Sequence, residues 1–168
     1  IAMTLPNMAA ANISRLLGLK GYTSTVVTAC ASGTQAIGEA TEVIRRGAAK
    51  VVFSGGAEAG ISNLALGGFC VMKALTSDNQ SPTQASKPFD ARRDGFVPAE
   101  GAAVIVLETL DHARARGARI LCELAGFGST SDAYHLVQPQ ESGVGASRAM
   151  GLALSDAGVA IGDVDYIN

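Results

Sequence analysis

The chain has 168 residues, enough for one domain with a sizeable core. Thirteen Lys and Arg against 15 Asp and Glu leave a net charge of −2, without the basic field that nucleic acid or an anionic membrane surface requires. No run approaches the roughly 18 uninterrupted apolar residues of a membrane-spanning helix, and Ala and Gly supply much of the apolar count, so the elements can pack closely.

Strands are predicted to alternate with helices along the chain. Ala9 to Leu17 reads as a helix closed by Gly18. Thr25 to Ala29 is a short β-branched run and reads as a buried strand. Ser32 to Arg46 is a helix with Ala36, Ile37, Ala40, Val43 and Ile44 on one stripe and Gly47 as its stop. Val51 to Ser54 and Ala102 to Glu108 are the next buried strands, and Asn79 to Lys87, with Pro82, is a surface loop. Asp111 to Arg116 is a short polar helix, Ile120 to Phe127 a fourth strand, and Ala146 to Ala157 a helix ended by Gly158. Strands separated by helices argue for a layered α/β domain. The start at Ile1 and the stop at Asp163 to Asn168, which reads as a strand just beginning, both look like internal sequence.

The three cysteines, Cys30, Cys70 and Cys122, are widely spaced, and no C-x-x-C occurs. Neither a disulfide framework nor a zinc site is expected, and a reducing cytoplasm is the natural compartment. Cys30 stands apart, because Thr28-Ala29-Cys30-Ala31-Ser32-Gly33 joins a predicted strand to an amphipathic helix. There its sulfur faces the open edge of the sheet, at a helix start whose unpaired N–H groups favour an anion. Such a setting favours a nucleophilic thiolate, and the Cys30 N–H can donate to an oxyanion on its own thioester. From position and flanks alone, the alternative of an inert core thiol in an Ala-rich region stays open. Cys122, inside a predicted strand, and Cys70, after Gly67-Gly68-Phe69, read as structural.

Thr28-Ala29-Cys30-Ala31-Ser32-Gly33 resembles the nucleophile motif of the β-ketoacyl-acyl carrier protein synthases, which are thiolase-fold condensing enzymes. Gly55-Gly56-Ala57-Glu58 is similar to the family segment after the next strand. Pro88 to Val97 (PFDARRDGFV), then Glu100-Gly101-Ala102-Ala103 leading to Val106-Leu107-Glu108, resembles its longest signature. Ser131-Asp132-Ala133-Tyr134-His135 is similar to a loop of the elongating bacterial type called synthase II. The motifs run in family order across nearly the whole chain. Pro98-Ala99-Glu100 departs from the family, replacing a glycine-rich stretch.

The resemblance implies an α/β thiolase-like layered fold present only in part, with residues 1–168 forming an incomplete ketoacyl synthase domain: the later part of the first half and the start of the second. It implies a decarboxylative Claisen condensation in fatty acid elongation. The acyl group is carried on Cys30, and malonyl-acyl carrier protein supplies the carbanion. No cofactor is implied; the partners are acyl carrier protein, acyl and malonyl thioesters, and a second copy of the enzyme. Phe69 corresponds to a residue beside the acyl pocket, with a plain core aromatic as the alternative. Lys73 lies where the family carries a basic residue facing the acidic carrier protein, with a solvated lysine as the alternative. Asp132 and His135 correspond to a loop at the mouth of the site, in a supporting role. The two histidines, the lysine and the gating phenylalanine of the family mechanism are not matched here: His135 belongs to the mouth loop, and His112 reads as solvated in a polar helix. Arg93 and Asp94 are expected to fix a loop. The rivals are a ketosynthase of polyketide biosynthesis, a non-catalytic partner subunit or inert fragment, and a cysteine hydrolase.

Overall fold

A computed structural model describes residues 5–168. The elements in chain order are α1 (Met8–Leu17), α2 (Ser32–Arg45), β1 (Val51–Glu58), α3 (Asn63–Val71), β2 (Gly101–Glu108), α4 (Leu110–Ala115) and α5 (Val144–Ala157). Single turns of 3-10 helix cover Ala29–Ala31, Pro82–Gln84 and Ile161–Asp163. The chain divides into two compact units: Ile1–Gly55 with Val104–Asn168, and Gly56–Ala103. The divisions fall inside β1 and β2.

The helix boundaries follow local chemistry. Gly18 and Gly158 end α1 and α5 in the left-handed conformation, at φ 66° and 65°, where glycine meets no Cβ penalty. The Thr109 hydroxyl caps α4 by accepting the His112 N–H. Helix α3, absent from the sequence reading, starts at Ser62, whose hydroxyl accepts the Ala65 N–H. Its Gly-Gly pair and lack of a polar face hide the usual periodicity.

β1 and β2 form a two-stranded sheet. The Thr109 N–H donates to the Lys50 carbonyl at 3.3 Å, so the end of β2 lies beside the start of β1 and the strands run antiparallel. Two expected strands are not formed. Thr25 to Thr28 and Ile120 to Phe127 are irregular backbone, and Ala29 opens a 3-10 turn, because a strand exists only by pairing and neither segment finds a partner among the described residues. Cys122 is accordingly not in a strand.

In the first unit, side chains hold the second of these segments. Arg45 of α2 donates to both Asp156 carboxylate oxygens, at 2.8 and 3.0 Å, and to the Ala125 carbonyl at 2.9 Å. Asp156 of α5 in turn accepts the Phe127 N–H at 2.9 Å. Hydrogen bonding from Arg45, then from Phe127, holds the Asp156 carboxyl below its ordinary range. The backbone of Gly126 and Gly128 lies directly on that of α5, and the Phe127 ring occupies the space a side chain at Gly38 would need.

At the end of β2, Glu108 accepts from Arg116 (Nε at 3.0 and 3.2 Å) and pairs with His112 Nδ1 at 2.6 Å. The hydrogen bond from Arg116, then that from His112, lowers the Glu108 carboxyl to about 2. His112 is therefore half-buried in an ion cluster and not simply solvated. In the second unit, Asp94 accepts from the Thr76 hydroxyl at 2.7 Å and the Ser77 N–H at 3.3 Å, and Arg93 donates to the Asp90 carbonyl at 2.9 Å. Both charges fix a loop, as expected.

The expected sizeable core is not there: among the described residues the buried apolar side chains are Ala40, Val43, Ala85 and Ala113. β2, expected to be buried, leaves Val104, Ile105 and Val106 about half exposed. β1 is buried only at Ser54. A strand is buried when layers cover both its faces, and the described residues do not supply them.

Candidate active site

The nucleophile candidate sits on a tight turn. The 3-10 turn Ala29–Ala31 runs directly into α2, putting Cys30 at the helix entrance. Ala29, immediately before it, takes the left-handed conformation at φ 50°, which costs an L-residue about 1–2 kcal/mol. The Ala31 N–H returns to the Thr28 carbonyl at 3.1 Å. Ser32 closes the turn: its hydroxyl accepts the Thr28 N–H at 2.8 Å and donates to the Ala29 carbonyl at 2.7 Å. The Cys30 N–H is engaged by no acceptor among the described residues, and the Cys30 side chain is exposed. A strained alanine thus stands immediately before an exposed cysteine, on a turn tied by its own hydrogen bonds. Cys70 and Cys122 are also free and exposed, against the expectation of structural thiols, but neither sits at a helix start.

Asp132 and His135 belong to the 130–139 loop of the same unit. With Thr28, that loop lines an open hollow of about 740 Å3. Thr28, two residues before Cys30, thus faces the same hollow as Asp132 and His135, although Cys30 itself is not a lining residue. His135 Nδ1 accepts from the Val137 N–H at 3.1 Å and the Gln138 N–H at 3.0 Å. The neutral ring must then carry its proton on Nε2. Asp132 Oδ2 accepts the Gln140 N–H at 2.9 Å, while Oδ1 occupies the position a side chain at Gly145 would take. Gly145 is buried in the first turn of α5, and its carbonyl accepts the Thr130 hydroxyl at 2.8 Å. Ala133, between these anchors, is held at φ 49°.

Phe69 and Lys73 lie in the second unit. Phe69 is the seventh residue of α3 and 43% exposed. Lys73 follows the α3 cap in the left-handed conformation at φ 53°, and its side chain is exposed. Motif reading missed Ser32, Thr28 and Gly145 as site-builders. Ser32 and Thr28 stand inside the recognised motif, but nothing in their spacing announces what they bond. Gly145 had no signal at all, because its role is the space it leaves.

Comparison with known proteins places this geometry. Residues 1–113 match the family described as β-ketoacyl synthase, N-terminal domain, and residues 121–168 match β-ketoacyl synthase, C-terminal domain. The chain is 50% identical to the 3-oxoacyl-[acyl-carrier-protein] synthase 2 of Rhizobium meliloti over 98% of its own length and 39% of that protein's. It is 46% identical to the Staphylococcus aureus protein of the same name, covering 41% of it. The chain thus spans about two-fifths of the length of the curated relatives it matches. Among solved structures, a β-ketoacyl synthase from Burkholderia phymatum superposes with a TM-score of 0.90 at 44% identity, over 96% of this chain and 39% of that one. A ketosynthase complex with the type II polyketide acyl-carrier protein, bound to the hexaketide, superposes with a TM-score of 0.89 at 39% identity, over 95% of this chain and 40% of that one. The fold is the thiolase-like α/β fold of the ketosynthases, present in part, and the chain belongs to the β-ketoacyl synthase family.

Proposed function

We propose that the chain carries the nucleophile of a β-ketoacyl-acyl carrier protein synthase of the synthase II type, an acyltransferase that extends fatty acyl chains. The carrying observation is the exposed Cys30 on a strained, hydrogen-bonded turn at the start of α2. The Cys30 sulfur attacks the thioester carbonyl of an acyl-carrier protein. The free Cys30 N–H is available to the oxyanion that forms. The carrier thiolate leaves, and the acyl group stays on Cys30. Malonyl-carrier protein then loses CO2, and its carbanion attacks the Cys30 thioester. The Cys30 thiolate departs, leaving a 3-oxoacyl thioester two carbons longer. No cofactor enters this sequence.

Asp132 and His135 shape the entrance hollow, with Nδ1 of His135 and Oδ2 of Asp132 accepting from backbone N–H groups of the same loop. Phe69 contacts the acyl chain, and the exposed Lys73 meets the acidic surface of the carrier protein. The enzyme works as a homodimer in the cytoplasm, a reducing compartment that suits its exposed thiols. A polyketide ketosynthase is the second reading, supported by the likeness to the hexaketide-bound complex. The synthase 2 proteins are more similar in sequence and carry the preference.

The test is a chimera in which residues 1–168 replace the matching segment of the Rhizobium meliloti synthase 2. After incubation with an acyl-carrier protein, peptide mass spectrometry should find the acyl group on Cys30. It should find none in Cys30→Ala at unchanged thermal stability. Acyl transfer to another residue, or its persistence in the variant, would refute the assignment.

A further inference from the structure

We infer that Ser32 is a positioning residue for the nucleophile, a role that rests on the reading of Cys30 as the acyl carrier. Among the described residues, the side-chain hydrogen bonds made to residues 28–31 all come from Ser32. It takes the Thr28 N–H at 2.8 Å and gives its proton to the Ala29 carbonyl at 2.7 Å. The two bonds therefore grip the 27–28 and 29–30 peptide groups, which bracket the torsions of Thr28 and Ala29. Ala29 is held at φ 50°, a conformation an alanine does not keep without help. Cys30 follows directly, so the direction of its Cα–Cβ bond and of its N–H is set by the torsions that Ser32 holds.

The alternative role, an ordinary helix cap, fits less well. An N-cap hydroxyl accepts from an N–H further into the helix, two or three residues on. The Ser32 hydroxyl instead points back, against the helix direction, and accepts from a residue four positions earlier. It stabilises the turn and not the first turn of α2. The turn is exposed, so water can replace both bonds once the hydroxyl is removed, and the fold loses little. What water cannot replace is the fixed torsion at Ala29. The consequence of losing Ser32 is a misdirected sulfur and N–H, and misplacement of a reacting group is costly in rate.

The test uses the same chimera with Ser32→Ala and Ser32→Thr. Threonine keeps the hydroxyl, whereas alanine removes both bonds. The first readout is single-turnover transfer of an acyl group from carrier protein to Cys30. Ser32→Ala should lower the maximal rate about tenfold or more with the half-saturating carrier concentration unchanged, and Ser32→Thr should recover most of the loss. The second readout is alkylation by iodoacetamide, with Cys70 and Cys122 of the same molecule as internal references. Ser32→Ala should change the Cys30 rate relative to both references, whose own rates report an intact fold. Wild-type kinetics in Ser32→Ala would overturn the inference, as would a parallel change at all three cysteines. A wild-type chimera that carries no acyl group on Cys30 would overturn the functional reading. The alkylation arm would still decide whether Ser32 holds the turn.

Discussion

Replacing Gly145 with Ala separates the stability of the protein from the order of its entrance loop. The new Cβ would collide with Oδ1 of Asp132, so the carboxylate must leave its place beside the first turn of α5. With it goes the bond from the Gln140 N–H at 2.9 Å. A hydrogen bond to a charged group contributes about 1.5–3 kcal/mol, and the helix-terminus interaction about 0.3–1 kcal/mol. Asp132 is exposed and water competes for it, so the lower ends apply, about 2 kcal/mol together. Alanine in place of glycine returns up to about 1 kcal/mol of helix propensity. The net loss is about 1 kcal/mol, which lowers the melting temperature of the chimera by a few degrees at most. The loop responds far more. Its backbone N–H groups at Val137, Gln138 and Gln140 are held by two side chains, His135 and Asp132, and releasing one anchor frees the segment that lines the hollow. Amide hydrogen exchange read at residues 137–140 should accelerate at least tenfold, while exchange within α2 stays the same. Asp132→Asn is the companion: it keeps the shape, removes the charge and should give a smaller change in the same direction. Unchanged exchange at residues 137–140 in Gly145→Ala would refute the claim that Gly145 exists to seat Asp132.

Two further outcomes follow from other parts of the structure. Glu108 titrates near 2 in the folded chain against an ordinary 4.5, so its interaction with Arg116 and His112 stabilises the fold above about pH 4.5. As pH falls from 4.5 towards 2 that contribution is lost. The stability difference between the wild-type chimera and Glu108→Gln, followed by denaturant unfolding, should shrink across that window. A constant difference would show that the charge on Glu108 contributes nothing to stability. The 168-residue chain by itself should not condense acyl and malonyl thioesters. Apolar side chains as large as Leu64, Phe89 and Leu136 stand nearly fully exposed. Aggregation or weak amide protection is expected, and a monomeric, well-protected and active product would overturn this.

The sequence by itself determined the family and most helices, and it marked Cys30 as the nucleophile candidate. Helices α1, α2 and α5 are set by local spacing and glycine stops, so each falls within two residues of its expected bounds. The nucleophile motif was legible because its chemistry demands a short run of small residues at a helix start. Only the tertiary structure decided the rest. Thr25 to Ala29 and Ile120 to Phe127 have strand composition, but pairing is a non-local property and neither forms a strand. The apolar runs of β1 and β2 promised burial, yet burial depends on what covers a face, and little does. In the site, Ser32 looked like one more small residue of the motif until its hydroxyl was seen to reach back to Thr28 and Ala29. Gly145 carried no pattern because its function is the absence of a side chain where a carboxylate from 13 residues earlier comes to rest. Periodicity and motif report what a residue prefers, whereas the site depends on which side chains and backbone groups the fold brings within hydrogen-bond reach of each other.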